Sequence, residues 1–185
     1  MKQKLESIIN KGKMLALAGI VSLTPLTLNS QPLKHYVEPR VGTIAPVTEK
    51  EQAYDSSFLI GGAYGLSIGK FGLEVSLDYF NSSAEYIKTK SILPRFNISY
   101  SPFKQTAKVK PYLMAGVNFL SESSTIDIPE FNVHDKVSNT TSGLEFGVGA
   151  TIRDKLHGRI SYTVMPGSEN VKGMITLTCG YRFGF

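Results

Sequence analysis

From residue 56 to the C-terminus, apolar and polar residues alternate with a period of two. In residues 71–79, Phe71, Leu73, Val75, Leu77 and Tyr79 fall on one face, with Gly72, Glu74, Ser76 and Asp78 on the other. Residues 92–100 set Ile92, Phe96, Ile98 and Tyr100 opposite Arg95, Asn97 and Ser99, although Leu93 and Pro94 blur the start. In 109–119, Val109, Leu113, Ala115, Val117 and Phe119 oppose Tyr112, Met114, Gly116 and Asn118. Residues 144–152 and 175–185 repeat the pattern, with Glu145 and Arg182 on their polar faces. Alternation of this length is the mark of a half-buried strand, and the i, i+3, i+4, i+7 spacing of a helix is nearly absent. Segments 56–68 and 159–165 and a weaker one at 38–47 bring the expected strands to eight. The last is weak because Pro39 and Pro46 cannot donate to a ladder.

The connections alternate as well. Short links at 69–70, 101–108 and 153–158 fall at one end of the expected sheet. Longer polar links at 48–57, 81–91, 120–141 and 166–173 fall at the other. Transmembrane barrels have this asymmetry, with short periplasmic turns and longer extracellular loops. A soluble barrel or sandwich with its apolar face inward would alternate in the same way. Three features point to apolar residues outward. The polar face carries Gly, Ser, Thr and Asn with a few charges of both signs, which suits the narrow lumen of an eight-stranded barrel. Aromatic residues close the apolar face at both levels: Phe71 and Tyr100 near the short turns, Tyr79 and Phe119 near the long loops. Such rings form the girdles of outer-membrane barrels. Finally, tilted strands of about ten residues match the hydrocarbon thickness.

Composition and charge refine this picture. The 185 residues carry 20 Lys+Arg and 15 Asp+Glu, a net charge of +5. Lys2, Lys4, Lys11 and Lys13 precede an uncharged apolar run at 15–28. That arrangement reads as a secretory signal peptide over residues 1–30, ahead of a barrel domain over 31–185. The run is shorter than the roughly 20 residues of a spanning helix, and a short N-terminal anchor is the alternative. Removal of 1–30 takes away four lysines and one glutamate, which leaves +2. The basic balance therefore belongs mostly to export and is no nucleic-acid footprint. A single cysteine excludes an internal disulfide framework and a multi-cysteine metal site. No cofactor or metal is expected.

The chain ends Tyr181-Arg182-Phe183-Gly184-Phe185, with aromatics at alternate positions up to a terminal Phe. This resembles the C-terminal signal of bacterial outer-membrane proteins. With eight strands, the chain resembles the small outer-membrane β-barrel family that includes OmpA-type and OmpX-type barrels and porin-like outer membrane proteins. The resemblance covers roughly residues 38–185. It implies an all-β, eight-stranded, antiparallel, up-and-down transmembrane β-barrel, exported and seated in outer-membrane lipid of a bacterial cell. It further implies that the barrel-assembly machinery recognises Tyr181, Phe183 and Phe185, and that both chain ends lie in the periplasm.

The inward face places Glu74, Asp78 and Glu145 with Arg95, Arg159 and Arg182, from which we expect an ion-pair network across the lumen. A charge buried there without a partner costs several kcal/mol. Such a network would plug the interior; a narrow charged pore is the alternative. Some small outer-membrane barrels modify lipid A with a Ser–His–acid arrangement. Here His157 and Ser161 are the nearest combination in sequence, but they fall at the short-turn end. His134 lies in the longest loop and His35 before the first strand, and all three histidines, His157 included, read as ordinary loop residues. The loop at 121–141 mixes Ile126, Ile128, Phe131 and Val133 with acidic residues. It is the best candidate for contact with an extracellular ligand or host surface, since function often sits on loops held by a rigid scaffold. The expected role is non-catalytic, structural or surface-interacting. A small-solute pore or, further off, a lipid A-modifying enzyme are the alternatives.

Overall fold

The structure, a computed structural model, describes residues 33–47, 56–84, 87–103, 106–128, 133–166 and 172–185. The expected signal peptide at 1–30 lies outside the described residues. The strands are β1 (Lys34–Val47), β2 (Ser57–Ile68), β3 (Phe71–Ala84), β4 (Ile87–Tyr100), β5 (Val109–Ile128), β6 (Val133–Ile152), β7 (Leu156–Val164), β8 (Gly173–Tyr181) and β9 (Phe183–Gly184). Strands β1 to β8 each pair antiparallel with their sequence neighbours, and β1 closes the sheet by pairing with both β2 and β8. The eighth strand is interrupted at Arg182, and β8 and β9 share one register on β1. The barrel is therefore eight-stranded, closed and up-and-down.

The register fixes its width. Followed across the hydrogen-bonded pairs, Val37 leads to Tyr64, Val75, Phe96, Val117, Leu144, Val164 and Gly173, and from there to Val47. One circuit advances ten residues along β1, from 37 to 47, and that is the barrel's shear. Ten residues at ~3.3 Å against eight strands ~4.8 Å apart tilts the strands by roughly 40°. At that tilt, an outward run such as Phe71 to Tyr79 spans roughly 20 Å of height, close to the apolar band of outer-membrane barrels.

The side-chain alternation follows the expected faces. Phe71, Leu73, Val75, Leu77 and Tyr79 are exposed, as are Leu144, Phe146, Val148 and Ile152. Glu74, Ser76, Asp78 and Glu145 are buried in the lumen. Three boundaries differ from expectation. β1 begins at Lys34 and contains both prolines; Pro39 points outward, so the lumen side of the strand stays intact. The 81–91 link is largely strand, since β3 runs to Ala84 and pairs there with Ile87. Of the expected 121–141 loop, residues 129–132 lie outside the described residues and the rest is strand: β5 and β6 are 20 residues each and stay paired to Ile128↔Val133. Thr, Ile and Val in this stretch favour extended backbone. Above the membrane, however, both faces meet water, so no alternation betrays the strands.

The short turns are tight. Gly69, at φ 58°, turns β2 into β3, a conformation glycine adopts without a Cβ penalty. Between β6 and β7, Arg153 (φ 50°) and Asp154 (φ 59°) are both left-handed, and Lys155 N–H donates to the Ile152 carbonyl at 3.1 Å. Two positive φ values match a type I′ turn, in which Asp is tolerated and Arg is strained. We expect Arg153→Gly to stabilise the barrel by about 1 kcal/mol, read as a higher urea midpoint for unfolding in micelles. An unchanged or lower midpoint would show that the turn carries no such strain.

Candidate functional site: the barrel lumen and the β5–β6 ribbon

Because β-strands alternate their side chains, one circuit of the ladder lines the lumen with a single row. Starting at Tyr36, that row reads Gly65, Glu74, Asn97, Gly116, Glu145, Thr163 and Met174. The residues along it are small, polar or charged, apart from an aromatic at one end and a methionine at the other. The lumen accordingly divides into three levels.

At the short-turn level, Tyr36 faces Gly65 across the β1–β2 pair, and Tyr112 faces Gly149 across β5–β6. A Cβ at Gly65 would collide with the Tyr36 ring, and one at Gly149 would collide with the Tyr112 ring and hydroxyl. Each ring thus lies where its partner has no side chain. The Tyr112 hydroxyl is hydrogen-bonded to His157 Nε2, and His157 Nδ1 lies 2.7 Å from Glu38 Oε1. Arg182 donates from Nε to Glu38 Oε2 at 2.7 Å and stacks its guanidinium over Tyr36, 4.2 Å from the ring centre.

The middle level is ionic. Arg40 donates two hydrogen bonds to Asp78, at 2.7 and 2.6 Å, and a third to Glu74 at 3.0 Å. The paired geometry on Asp78 is the fork that a guanidinium offers a carboxylate. Arg159 reaches Glu74 Oε1 at 2.7 Å. Arg95, fully buried, lies 3.3 Å from Asp78 and 3.2 Å from Glu145. Ser161 Oγ donates to Glu145 at 2.6 Å. All six charged residues singled out from the sequence lie in this interior, with Arg182 at its lower edge, 3.8 Å from Glu74. Glu38 and Arg40 join them, and sequence reasoning missed both. Their alternation was visible (Tyr36, Glu38 and Arg40 against Val37, Pro39 and Val41), but the prolines obscured it.

Above the charges lies an apolar level that the sequence reading also missed. Ile44, Leu59, Phe80, Leu93, Leu120, Met165 and Met174 pack together, all buried. The signal was present as apolar doublets at one height in four strands: Phe58-Leu59, Tyr79-Phe80, Ile92-Leu93 and Phe119-Leu120. Both faces of the strand are apolar there, one toward lipid and one toward this layer.

The histidines differ from expectation. His157 is no loop residue; it belongs to β7, is buried, and is held by Glu38 and Tyr112. Ser161 is bonded to Glu145 and forms no pair with His157. His35 lies in β1, where Nδ1 is 2.7 Å from the Tyr64 hydroxyl and the ring stacks on Phe185. Its backbone exchanges two hydrogen bonds with Phe185. Tyr181, Phe183 and Phe185 are exposed on the outer face, as are Phe71, Tyr79, Tyr100 and Phe119. Among the described residues, no cluster of three or more His, Cys, Asp or Glu could hold a metal.

Beyond the barrel wall, β3–β6 continue as a ribbon. β6 stays paired to β5 out to Val133, whereas β7 begins pairing with it only at Leu144↔Val164. The outer half of β6 therefore has a free edge among the described residues, along which residues 135–140 are exposed.

Comparison with known proteins matches residues 14–183 to the model of the outer membrane protein beta-barrel domain. No curated protein matches the chain. Among solved structures, a major outer membrane protein from Thermus thermophilus aligns with a TM-score of 0.59 at 14% identity, over 83% of this chain and 99% of that one. The N-terminal β-barrel domain of Pseudomonas aeruginosa OprF aligns at 0.54 and 16% identity, over 81% and 97%. Ail, the attachment invasion locus protein of Yersinia pestis, solved with the heparin analogue sucrose octasulfate, aligns at 0.53 and 12%, over 83% and 100%. At these identities the likeness is one of fold. The match to the family model covers nearly the whole chain, and this bacterial outer-membrane protein belongs to the outer membrane protein beta-barrel domain family.

Proposed function

We propose that the chain is a non-catalytic surface-interaction barrel whose lumen is plugged by its own side chains and whose β5–β6 ribbon meets an extracellular ligand or host surface. The observation that carries this reading is the edge of β6 that no described strand pairs beyond Leu144. An unpaired strand edge presents a row of N–H and C=O groups that another extended chain can satisfy. The segment from Lys136 to Thr140, KVSNT, contains no proline and one charge, so little blocks such pairing. The same reading places the short turns and both ends of the mature barrel in the periplasm, with residues 1–30 as the export signal. Tyr181, Phe183 and Phe185 then form the terminal-strand signal for the assembly machinery. Phe71 and Tyr100 mark one membrane boundary, Tyr79 and Phe119 the other.

The filled lumen supports the plugged reading over the porin-like one. Two barriers lie in series, an ionic level with Arg95, Asp78 and Glu145 inaccessible to solvent and an apolar level sealed by Leu59 and Leu93. A conducted ion would have to cross both. A non-catalytic role is supported by the partners of the two candidate groups: His157 meets the Tyr112 phenol and Glu38, while Ser161 meets Glu145. Ser–His chemistry needs the two within hydrogen-bond reach of each other.

Three outcomes test the proposal. Purified protein in planar bilayers is expected to give no stable single-channel steps; reproducible steps from the unmodified barrel would overturn the plugged lumen. Arg40→Ala is expected to cost about 3–5 kcal/mol, since Glu74 and Asp78 would lose their shared partner inside the barrel. A loss under about 1 kcal/mol in urea unfolding, the scale of an exposed pair, would mean those carboxylates are not held as the geometry indicates. Deletion of residues 122–140 is expected to leave the heat-modifiable band shift intact and to abolish adhesion of expressing cells to host surfaces. Adhesion that persists with a folded barrel would remove the ribbon from the function.

A further inference from the structure

The lipid-facing wall of β5–β8 is uneven. Pro111, Ala150, Gly158 and Cys179 form one row across the hydrogen-bonded pairs, on the outward face. The row nearer the long loops is Leu113, Val148, Ile160 and Leu177. The row nearer the short turns is Val109, Ile152, Leu156 and Tyr181. Both flanking rows are exposed throughout. Small side chains thus lie between two ridges of larger ones, and the result is a groove. Two concavities, of about 850 and 640 Å³, share Gly158 and Cys179 as lining. A Cβ at Gly158 would meet nothing within 4 Å. Each row climbs on its way round the barrel, from residue 37 to residue 47 of β1 in one circuit. The groove therefore rises from Pro111 on β5 to Cys179 on β8, and Tyr100 and Phe103 border its lower part.

Cations gather at the foot of this groove. Lys108 precedes β5, and Arg153 and Lys155 belong to the β6–β7 turn; all three are exposed. Arg153 N–H donates to the Lys108 carbonyl at 2.7 Å, which holds the two segments together. The one carboxylate of the turn, Asp154, is held by Lys110 at 2.5 Å. Lys108, Arg153 and Lys155 have no acidic partner among the described residues. Within hydrocarbon, a groove left unfilled forfeits the dispersion contacts of its walls, and a flexible acyl chain can follow one. Basic residues at a membrane surface attract anionic headgroups. A second copy of the chain would cross the membrane in the same orientation and set its own basic foot at the same level, where like charges repel. We propose that this groove holds an acyl chain of an anionic phospholipid whose headgroup phosphate lies on Lys108, Arg153 and Lys155. The site is remote from the β5–β6 ribbon, so its failure would leave the surface-interaction reading standing.

Lipid quenching of fluorescence tests this, because the chain has no tryptophan of its own. Leu177→Trp puts a reporter beside the groove, and Leu77→Trp, at an exposed position of β3, puts one away from it. The full mature chain is refolded into phosphatidylcholine vesicles, with brominated phosphatidylglycerol or brominated phosphatidylcholine as quencher. At the Leu177→Trp reporter, phosphatidylglycerol is expected to bind about tenfold more tightly than phosphatidylcholine, against about twofold or less at Leu77→Trp. Adding K108Q/R153Q/K155Q is expected to bring the first ratio down to the second. Adding G158L is expected to do the same, since it fills the groove and leaves every cation in place. The heat-modifiable band shift reports folding; if the triple variant loses it, K108Q/K155Q carries the test with a loss of about fivefold. Equal ratios at the two reporters overturn the proposal, as does a preference undiminished in folded charge variants. A preference that survives G158L would leave only a basic rim and overturn it too. A Leu177→Trp reporter that neither lipid quenches would assign the groove to a second copy instead.

Discussion

A shear of ten on eight strands encloses an interior too narrow for bulk solvent and too wide for the backbone to fill. Everything inside must be settled by side chains touching side chains. Outside, the constraint is weaker. The apolar face meets lipid as apolar as itself, so its burial adds little drive toward association. What closure secures is the backbone: every strand has two neighbours through the barrel wall, and no open edge lies at membrane depth. The interior is therefore where this sequence is held to one arrangement.

Its charges are balanced. Glu38, Glu74, Asp78 and Glu145 face Arg40, Arg95, Arg159 and Arg182. No pair is exclusive: Arg40, Arg95 and Arg182 each span two acids, and Arg159 shares its one, Glu74, with Arg40 and Arg182. Such sharing means that loss of any member leaves a net charge in a region of low dielectric, where an unpaired ion is most costly. The network links β1, β3, β4, β6, β7 and the final segment around Arg182. It thus ties together strands that the ladder alone would connect only through their neighbours. The tyrosine–glycine pairs extend the same logic downward: a large ring fits only because the facing residue has no side chain.

The sequence carried the barrel clearly and the site unevenly. Strands crossing the membrane separate lipid from lumen, so 71–79 and 144–152 alternate and can be read directly. The signal fails where the two faces meet similar surroundings. Along β5 and β6 beyond residue 121 both faces meet water, and a run such as Ser123-Ser124-Thr125 looks like a loop. At Leu59, Phe80, Leu93 and Leu120 both faces are apolar, so the inward layer reads as noise in the pattern. His157 was misplaced by one turn boundary: the three residues after Ile152 suffice for the β6–β7 connection, and β7 starts at Leu156. Pairings such as Arg40 with Asp78 join residues far apart in sequence. No local pattern encodes them; they follow only once the shear sets which residues share a height.

The two ends of the molecule differ in how their strands stop. At the short-turn end the strands stop almost together, and the turns at Gly69 and Arg153–Asp154 are too tight to cover the opening. Among the described residues, Lys70, Arg153 and Lys155 of the turns stand at the rim of this opening. At the other end the strands stop unevenly. β7 and β8 end near the barrel wall at Val164 and Gly173, while β5 and β6 run on to Ile128 and Val133. Uneven length in a closed sheet has one geometric consequence: among the described residues, where β6 outlasts β7, an edge reappears above the membrane. The wall that removes edges inside the lipid thereby creates one outside it. It is backed by the paired β4 and β5 and presented on the rigid base that the ionic lumen provides.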